Sequence, residues 1–148
     1  MRDRSPPASD RPPELVFVYG TLTDPTRVEG VLGPAVETPW RFVGSARLDG
    51  LRRVDGRYPT LAPGGSVDGR LLAVDESGLE RLDRYEGVDR GLYVRVAVPR
   101  EDASAPVWTY VGDPDRLRVN VDWPGNGPLR ERVRSALSSA EIVRERNE

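Results

Sequence analysis

The 148-residue chain has room for one domain with one core, and its 22 basic and 24 acidic residues nearly cancel and are scattered, which gives no nucleic-acid footprint. It contains no His, no Cys and no Lys, every basic residue being Arg. Those absences exclude a Ser-His-Asp triad, a cysteine nucleophile, thiolate or imidazole metal ligands, Schiff-base chemistry and a P-loop lysine, so an enzyme of this composition moves protons with Asp, Glu or Tyr.

Residues 1–13 are polar and proline-rich without apolar periodicity and predict a flexible tail, followed by one domain over residues 14–148. Leu15-Val16-Phe17-Val18-Tyr19, ending at Gly20, reads as a strand buried on both faces. The run is far too short for a membrane span or a signal sequence, so the expected location is the cytoplasm, with no membrane association. Thr23 or Asp24 caps a short helix with Pro25 in its first turn, which runs to about Leu32 before Gly33-Pro34.

Trp40 to Val54 predicts a strand, bent or bulged at Gly44 and Gly50. Tyr58-Pro59-Thr60-Leu61 reads as a short extended piece, Pro63-Gly64-Gly65 as a turn, and Val67 to Val74 as the next strand. A helix starting at Asp75 or Ser77 runs to Tyr85 or Glu86 and stops at Gly87. Strands over 92–98 and 107–111 follow, separated by a turn around 103–106. A last amphipathic helix, with Leu129, Val133, Ala136, Leu137 and Ala140 on one face, extends from Leu129 to about Val143. Strands with singly inserted helices give an α+β class.

Glu86 stands out on geometry. With Leu79 as reference, Leu82 falls about 60° and Glu86 about 20° round the helix on the same side, which puts the carboxylate in the apolar stripe. Burial and the negative helix terminus both raise its pKa towards the range useful for a base. The alternative is an early helix end, with Glu86 paired to Arg90 or Arg95 at the surface. Tyr19-Gly20-Thr21-Leu22 is the second candidate, because a strand that breaks at glycine before a helix presents free backbone N–H groups for a carboxylate or oxyanion. Asp83 reads as a structural hydrogen-bond or salt-bridge partner of a nearby Arg, Tyr85 as a packing residue, and the three tryptophans as core or rim aromatics.

Together these segments resemble the gamma-glutamylcyclotransferase family, in its gamma-glutamylamine cyclotransferase-like branch. Val18-Tyr19-Gly20-Thr21-Leu22 resembles its YGTL signature. Tyr58-Pro59-Thr60-Leu61-Ala62-Pro63-Gly64 and Val67-Asp68-Gly69-Arg70-Leu71 resemble its YPxLxPG and VxGxL segments. Leu82-Asp83-Arg84-Tyr85-Glu86-Gly87, then Tyr93-Val94-Arg95, resembles its LDxxEG…YxR block. The blocks stand in register over roughly residues 15 to 112.

The resemblance implies a small mixed β-barrel of about five to seven strands flanked by helices. It also implies cyclisation of a gamma-glutamyl amide to 5-oxoproline with release of an amine, needing no metal or cofactor. Glu86 would be the general base. Tyr19, Gly20, Thr21, Leu22, Tyr93 and Tyr110 would bind the substrate, with Tyr110 hydrogen-bonding near Glu86. The expected partner is a small gamma-glutamyl compound, and the expected assembly a monomer or homodimer. A non-catalytic metabolite-binding or interaction module on the same fold is the competing reading. One departure is local: the family often has a glycine soon after YGTL, where this chain has Thr23-Asp24-Pro25-Thr26-Arg27.

Overall fold

A computed structural model describes residues 13–34, 39–98, 106–137 and the backbone of 141–144. The expected tail falls, all but Pro13, outside these residues, as does most of the turn around 103–106.

The apolar run forms β1 (Glu14–Val18), which lies inside a six-stranded sheet whose order is β4 (Tyr93–Val98), β5 (Val107–Gly112), β1, β3 (Thr60–Val74), β2 (Trp40–Val54), β6 (Glu141–Arg144). It pairs antiparallel with β3 (Thr60–Val74), Val16 opposite Leu72, and parallel with β5 (Val107–Gly112), Val16 opposite Trp108. Its alternating side chains feed two cores. Val16 and Val18 pack with Leu72, Val74 and the inward residues of α1 (Pro25–Leu32) and α2 (Glu76–Tyr85). Phe17 packs on the other face with Leu48, Leu61, Val96 and Trp123, and with Val133 and Leu137 of α4 (Leu129–Leu137). A strand covered on both faces has no use for polar alternation, which is why its sequence is continuously apolar.

Local chemistry sets the helix starts. Asp24 accepts from the Thr26 amide at 3.0 Å with Pro25 behind it, and Asp75 accepts from the Gly78 amide at 2.7 Å. These are side-chain N-caps at both expected sites. Gly87, at φ 71°, ends α2 in the left-handed conformation that glycine adopts freely.

β2 (Trp40–Val54) spans the expected residues, and its register shifts at both expected places, between Phe42 and Gly44 and between Asp49 and Leu51. The turn expected at Pro63-Gly64-Gly65 is absent, because β3 runs straight through it. Asp49 pairs with Ser66 and Leu51 with Pro63, so Gly50 opposes both Gly64 and Gly65. All three glycines have positive φ, so the segment is a bulge within a long hairpin.

Two further expectations are corrected. The last helix does not reach Val143: α4 stops at Leu137, and β6 (Glu141–Arg144) pairs antiparallel with β2, Leu48 opposite Ile142. The free edge of β2 offers a ladder that β-branched Ile142-Val143 suit better than a helix end. The barrel expected from the resemblance is not closed. Among the described residues no ladder joins β6 to β4 (Tyr93–Val98), and α4 packs against β4 instead. One more helical turn, α3 (Pro114–Leu117), is capped by Asp113 and was not expected.

Candidate active site

Where β1 ends, the chain turns at Gly20 into a 3-10 turn over Thr21–Thr23. The first hydrogen bonds of that turn are donated by Thr23, to the Gly20 carbonyl, and by Asp24, to the Thr21 carbonyl. The amides of Gly20, Thr21 and Leu22 therefore precede the bonded turn, as at any helix start. A Cβ on Gly20 would stand 3.1 Å from Pro59 Cγ, so the loop and the β2–β3 connection approach closely only because the residue has no side chain.

Beside this loop lies a cavity of about 520 Å³. Glu86, Tyr19, Gly20, Thr21, Leu22, Tyr93 and Tyr110, the residues singled out in the sequence, all line it. They arrive from β1 and its loop, the end of α2, β4 and β5. Leu22 turns its side chain into the core, leaving its backbone to the loop. Thr21 is exposed at the mouth, its Oγ1 3.4 Å from the Tyr85 hydroxyl. Tyr85, read from sequence as a packing residue, is 41% exposed and forms part of the rim.

Glu86 sits at the C-cap of α2, its amide bonded to the Leu82 carbonyl at 2.9 Å. Among the described residues no ion pair reaches its carboxylate, and the alternative pairing with Arg90 or Arg95 does not form. Arg95 donates instead to Asp83 Oδ1 at 2.8 Å and lies over the Trp108 ring. Burial, with no cation to offset it, lifts the Glu86 carboxyl to about 7.

The tyrosines are held from behind. The Tyr19 hydroxyl donates to the Tyr110 carbonyl at 2.6 Å, and the Tyr93 hydroxyl donates to the Pro59 carbonyl at 2.7 Å. Tyr110 does not bond to Glu86; its hydroxyl donates to Asp83 Oδ1 at 2.7 Å. Burial raises all three phenols above their ordinary range, and negative neighbours add to it, so they remain protonated at neutral pH. With Asp83 already accepting from Tyr110 and Arg95, the available proton acceptor on the wall is Glu86.

The sequence reading missed the arginines. Arg27, Arg57, Arg90 and Arg116 also line the cavity, from α1, the β2–β3 connection, the 3-10 turn after α2, and α3. Arg57 precedes Tyr58-Pro59, which is the signal that could have revealed it; the others are brought in by elements that give no such cue.

The sequence profile described as "Gamma-glutamyl cyclotransferase, AIG2-like" matches residues 16–125. The chain belongs to this family. An Arabidopsis thaliana protein carrying a provisional gamma-glutamylcyclotransferase name is 32% identical over 94 residues, covering 55% of this chain and 48% of its own. The chain thus spans about half the length of that curated relative. Another Arabidopsis thaliana protein, known as a solution structure, is 34% identical over 86% of this chain and 85% of its own, with a TM-score of 0.54. The crystal structure of an AIG2-like protein from Mus musculus superposes with a TM-score of 0.57 over 80% of this chain and 92% of its own; at 24% identity it shows the fold alone. A mixed α+β fold of sheet and helices is what this chain shares with these two solved structures.

Proposed function

We propose that the protein is a gamma-glutamylcyclotransferase that converts a gamma-glutamyl amide to 5-oxoproline and a free amine, with Glu86 as general acid/base. The observation that carries this reading is a lone, partly buried carboxyl at about 7, on the wall of a cavity shared with the YGTL loop. A carboxylate in that range is deprotonated enough at neutral pH to accept a proton and acidic enough to return it.

Glu86 takes one proton from the substrate's α-ammonium group. The freed nitrogen attacks the γ-carbonyl carbon of the same molecule, forming the lactam C–N bond. As the tetrahedral centre collapses, the bond to the leaving nitrogen breaks and that nitrogen takes up the proton Glu86 holds. The ring nitrogen sheds its second proton to the freed Glu86 carboxylate, which passes it to the released amine, so that the amine departs as an ammonium and the lactam keeps one N–H. No water and no protein nucleophile enter, which suits a chain without His, Cys or Lys. Holding the substrate curled supplies proximity, worth about 7–11 kcal/mol in well-oriented intramolecular reactions. Amides of Gly20, Thr21 and Leu22 aimed at the developing oxyanion would add about 3–4 kcal/mol. Tyr19, Tyr93 and Tyr110 would shape the glutamyl end of the cavity.

The test is mass spectrometry of gamma-glutamyl compounds incubated with the protein. Formation of 5-oxoproline, lost in Glu86→Gln, supports the reading. Tight binding without product in the unaltered protein would instead establish a metabolite-binding module.

A further inference from the structure

The cavity is electrostatically lopsided. Among the described residues that line it Glu86 is the sole acid, facing Arg27, Arg57, Arg90 and Arg116. A second, more open groove of about 620 Å³ adjoins it between α1 and α2, and Arg27 and Tyr85 belong to both. That groove adds Arg81 and Arg84, with no acid among its described lining residues.

Among the described residues none of these arginines is in a salt bridge. Two are steered by neutral carbonyls, Arg81 Nη1 donating to Leu32 O at 3.0 Å and Arg116 Nη2 to Arg90 O at 2.6 Å. Such bonds orient a guanidinium without neutralising it. Elsewhere on the molecule arginines do pair, Arg47 with Asp49 and Arg53 with Asp55. Others, such as Arg41, Arg52 and Arg130, are in no salt bridge among the described residues either. What sets the cavity and its extension apart is that six arginines line them, with Glu86 as the one acid among their described lining residues.

We infer that the groove is a subsite for the leaving amine, and that this amine carries two or more negative charges, as carboxylates or phosphate. The inference rests on the cyclisation reading. A gamma-glutamyl head brings a single α-carboxylate of its own, which needs one arginine or the loop amides. Of the others, Arg57, Arg90 and Arg116 line the cavity itself, and Arg81 and Arg84 line the groove that shares Arg27 and Tyr85 with it. Guanidinium forks suit planar carboxylates and phosphate oxygens alike. A low-acid surface of this kind also concentrates anions at its mouth. The reaction is unchanged: the lactam bond forms, the bond to the anionic amine breaks, and that amine leaves as an ammonium with the two protons the α-ammonium gave up.

The test compares kcat/KM for gamma-glutamyl-ethylamide, gamma-glutamyl-alanine, gamma-glutamyl-glutamate and gamma-glutamyl-O-phosphoserine, in the full chain and in Arg27→Ala and Arg84→Ala. The expected result is a rise of roughly tenfold or more from the neutral to the multiply charged leaving groups, shrinking at high salt and collapsing several-fold in both variants. The glutamate leaving group carries two negative charges and the O-phosphoserine one nearly three. A preference for the glutamyl compound identifies carboxylate as the source, and a preference for the phosphoseryl compound identifies phosphate. Equal turnover across the series, unaffected by either substitution, overturns the subsite and leaves the cyclisation standing. If no compound yields 5-oxoproline, the cyclisation reading fails, and calorimetry with gamma-glutamyl-glutamate decides the subsite. Binding weakened roughly tenfold in the arginine variants keeps it, and unaltered binding removes it.

Discussion

The Tyr110 hydroxyl donates to Asp83 Oδ1 at 2.7 Å, and the same oxygen accepts Arg95 Nε at 2.8 Å. Asp83 is thereby committed to holding a cavity tyrosine in place, while Glu86, three residues on, has no salt-bridge partner among the described residues. Asp83→Ala strands both donors and should cost about 1–3 kcal/mol of stability. Asp83→Asn keeps an acceptor oxygen and should be milder. Its effect should fall mainly on KM, through a looser Tyr110, with kcat changed only a few-fold. Steady-state kinetics on Asp83→Asn check this. A kcat loss as complete as that of Glu86→Gln would make Asp83 the base.

Glu86 should set the pH profile. A carboxyl at about 7 must be ionised to act as base, so kcat/KM should rise through pH 6 to 8, with its half-height near 7. Stability runs the other way. The folded state holds this proton more tightly than the unfolded chain, so stability falls as pH rises from the ordinary carboxylate range to about 7. Glu86→Gln removes the penalty. At pH 8 the variant should gain on the order of 2 kcal/mol, and the gain should vanish below about pH 5. Melting curves of both proteins at pH 5 and pH 8 measure it, and an equal Tm at both pH values would contradict the burial of Glu86.

Gly69, in the VxGxL segment, should tolerate no side chain. Its Cβ would run into the Val18 carbonyl and stand 2.8 Å from Phe17 Cζ, at the point where β3 passes the end of β1. The Val18 carbonyl is backbone at the end of the β1–β3 ladder, and the Phe17 ring is packed in the core, so neither yields cheaply. Gly69→Ala should therefore cost about 3 kcal/mol or more. Gly30→Ala, which meets nothing within 4 Å, is the control and should be neutral or slightly stabilising. Chemical denaturation of the two variants compares them directly.

Gly20→Val should act on the site through Pro59. The added Cβ meets Pro59 Cγ at 3.1 Å, and the Pro59 carbonyl anchors the Tyr93 hydroxyl at 2.7 Å. The expected outcome is a fall in kcat/KM of roughly a hundredfold with Tm lowered only a few degrees, because the contact lies at the cavity mouth. Thr21→Ser leaves the backbone amides unchanged and should be mild. Kinetics and melting on both variants test it, and a fully active Gly20→Val would remove the loop from the substrate site.

Much of the framework was legible because its causes are local. The continuous apolar run of β1, the caps at Asp24 and Asp75, the glycine stop at Gly87 and the bulges of β2 each depend on a few neighbouring residues. The position of Glu86 on the apolar face of α2 follows from helical period alone. Pro63-Gly64-Gly65 misled because the same residues serve a turn and a bulge, and only the cross-strand register separates the two. The end of α4 misled for a related reason, since helix periodicity carries no information about the open edge of β2 that takes residues 141–144.

The sequence by itself determined most of the element types (β6, α3 and the bulge at 63–65 excepted), the order of the motif blocks and the carboxylate that falls on the apolar face of α2. Tertiary structure decided which groups meet. Tyr19 finds the Tyr110 carbonyl 91 residues away, and Tyr110 finds Asp83 27 residues back along the chain. The arginines converge on the cavity from elements that are distant in the chain. The physical reason is range: capping, turn chemistry and amphipathic period act over a few residues, whereas strand register and the packing of α2 against the sheet fix contacts between segments that share no local pattern.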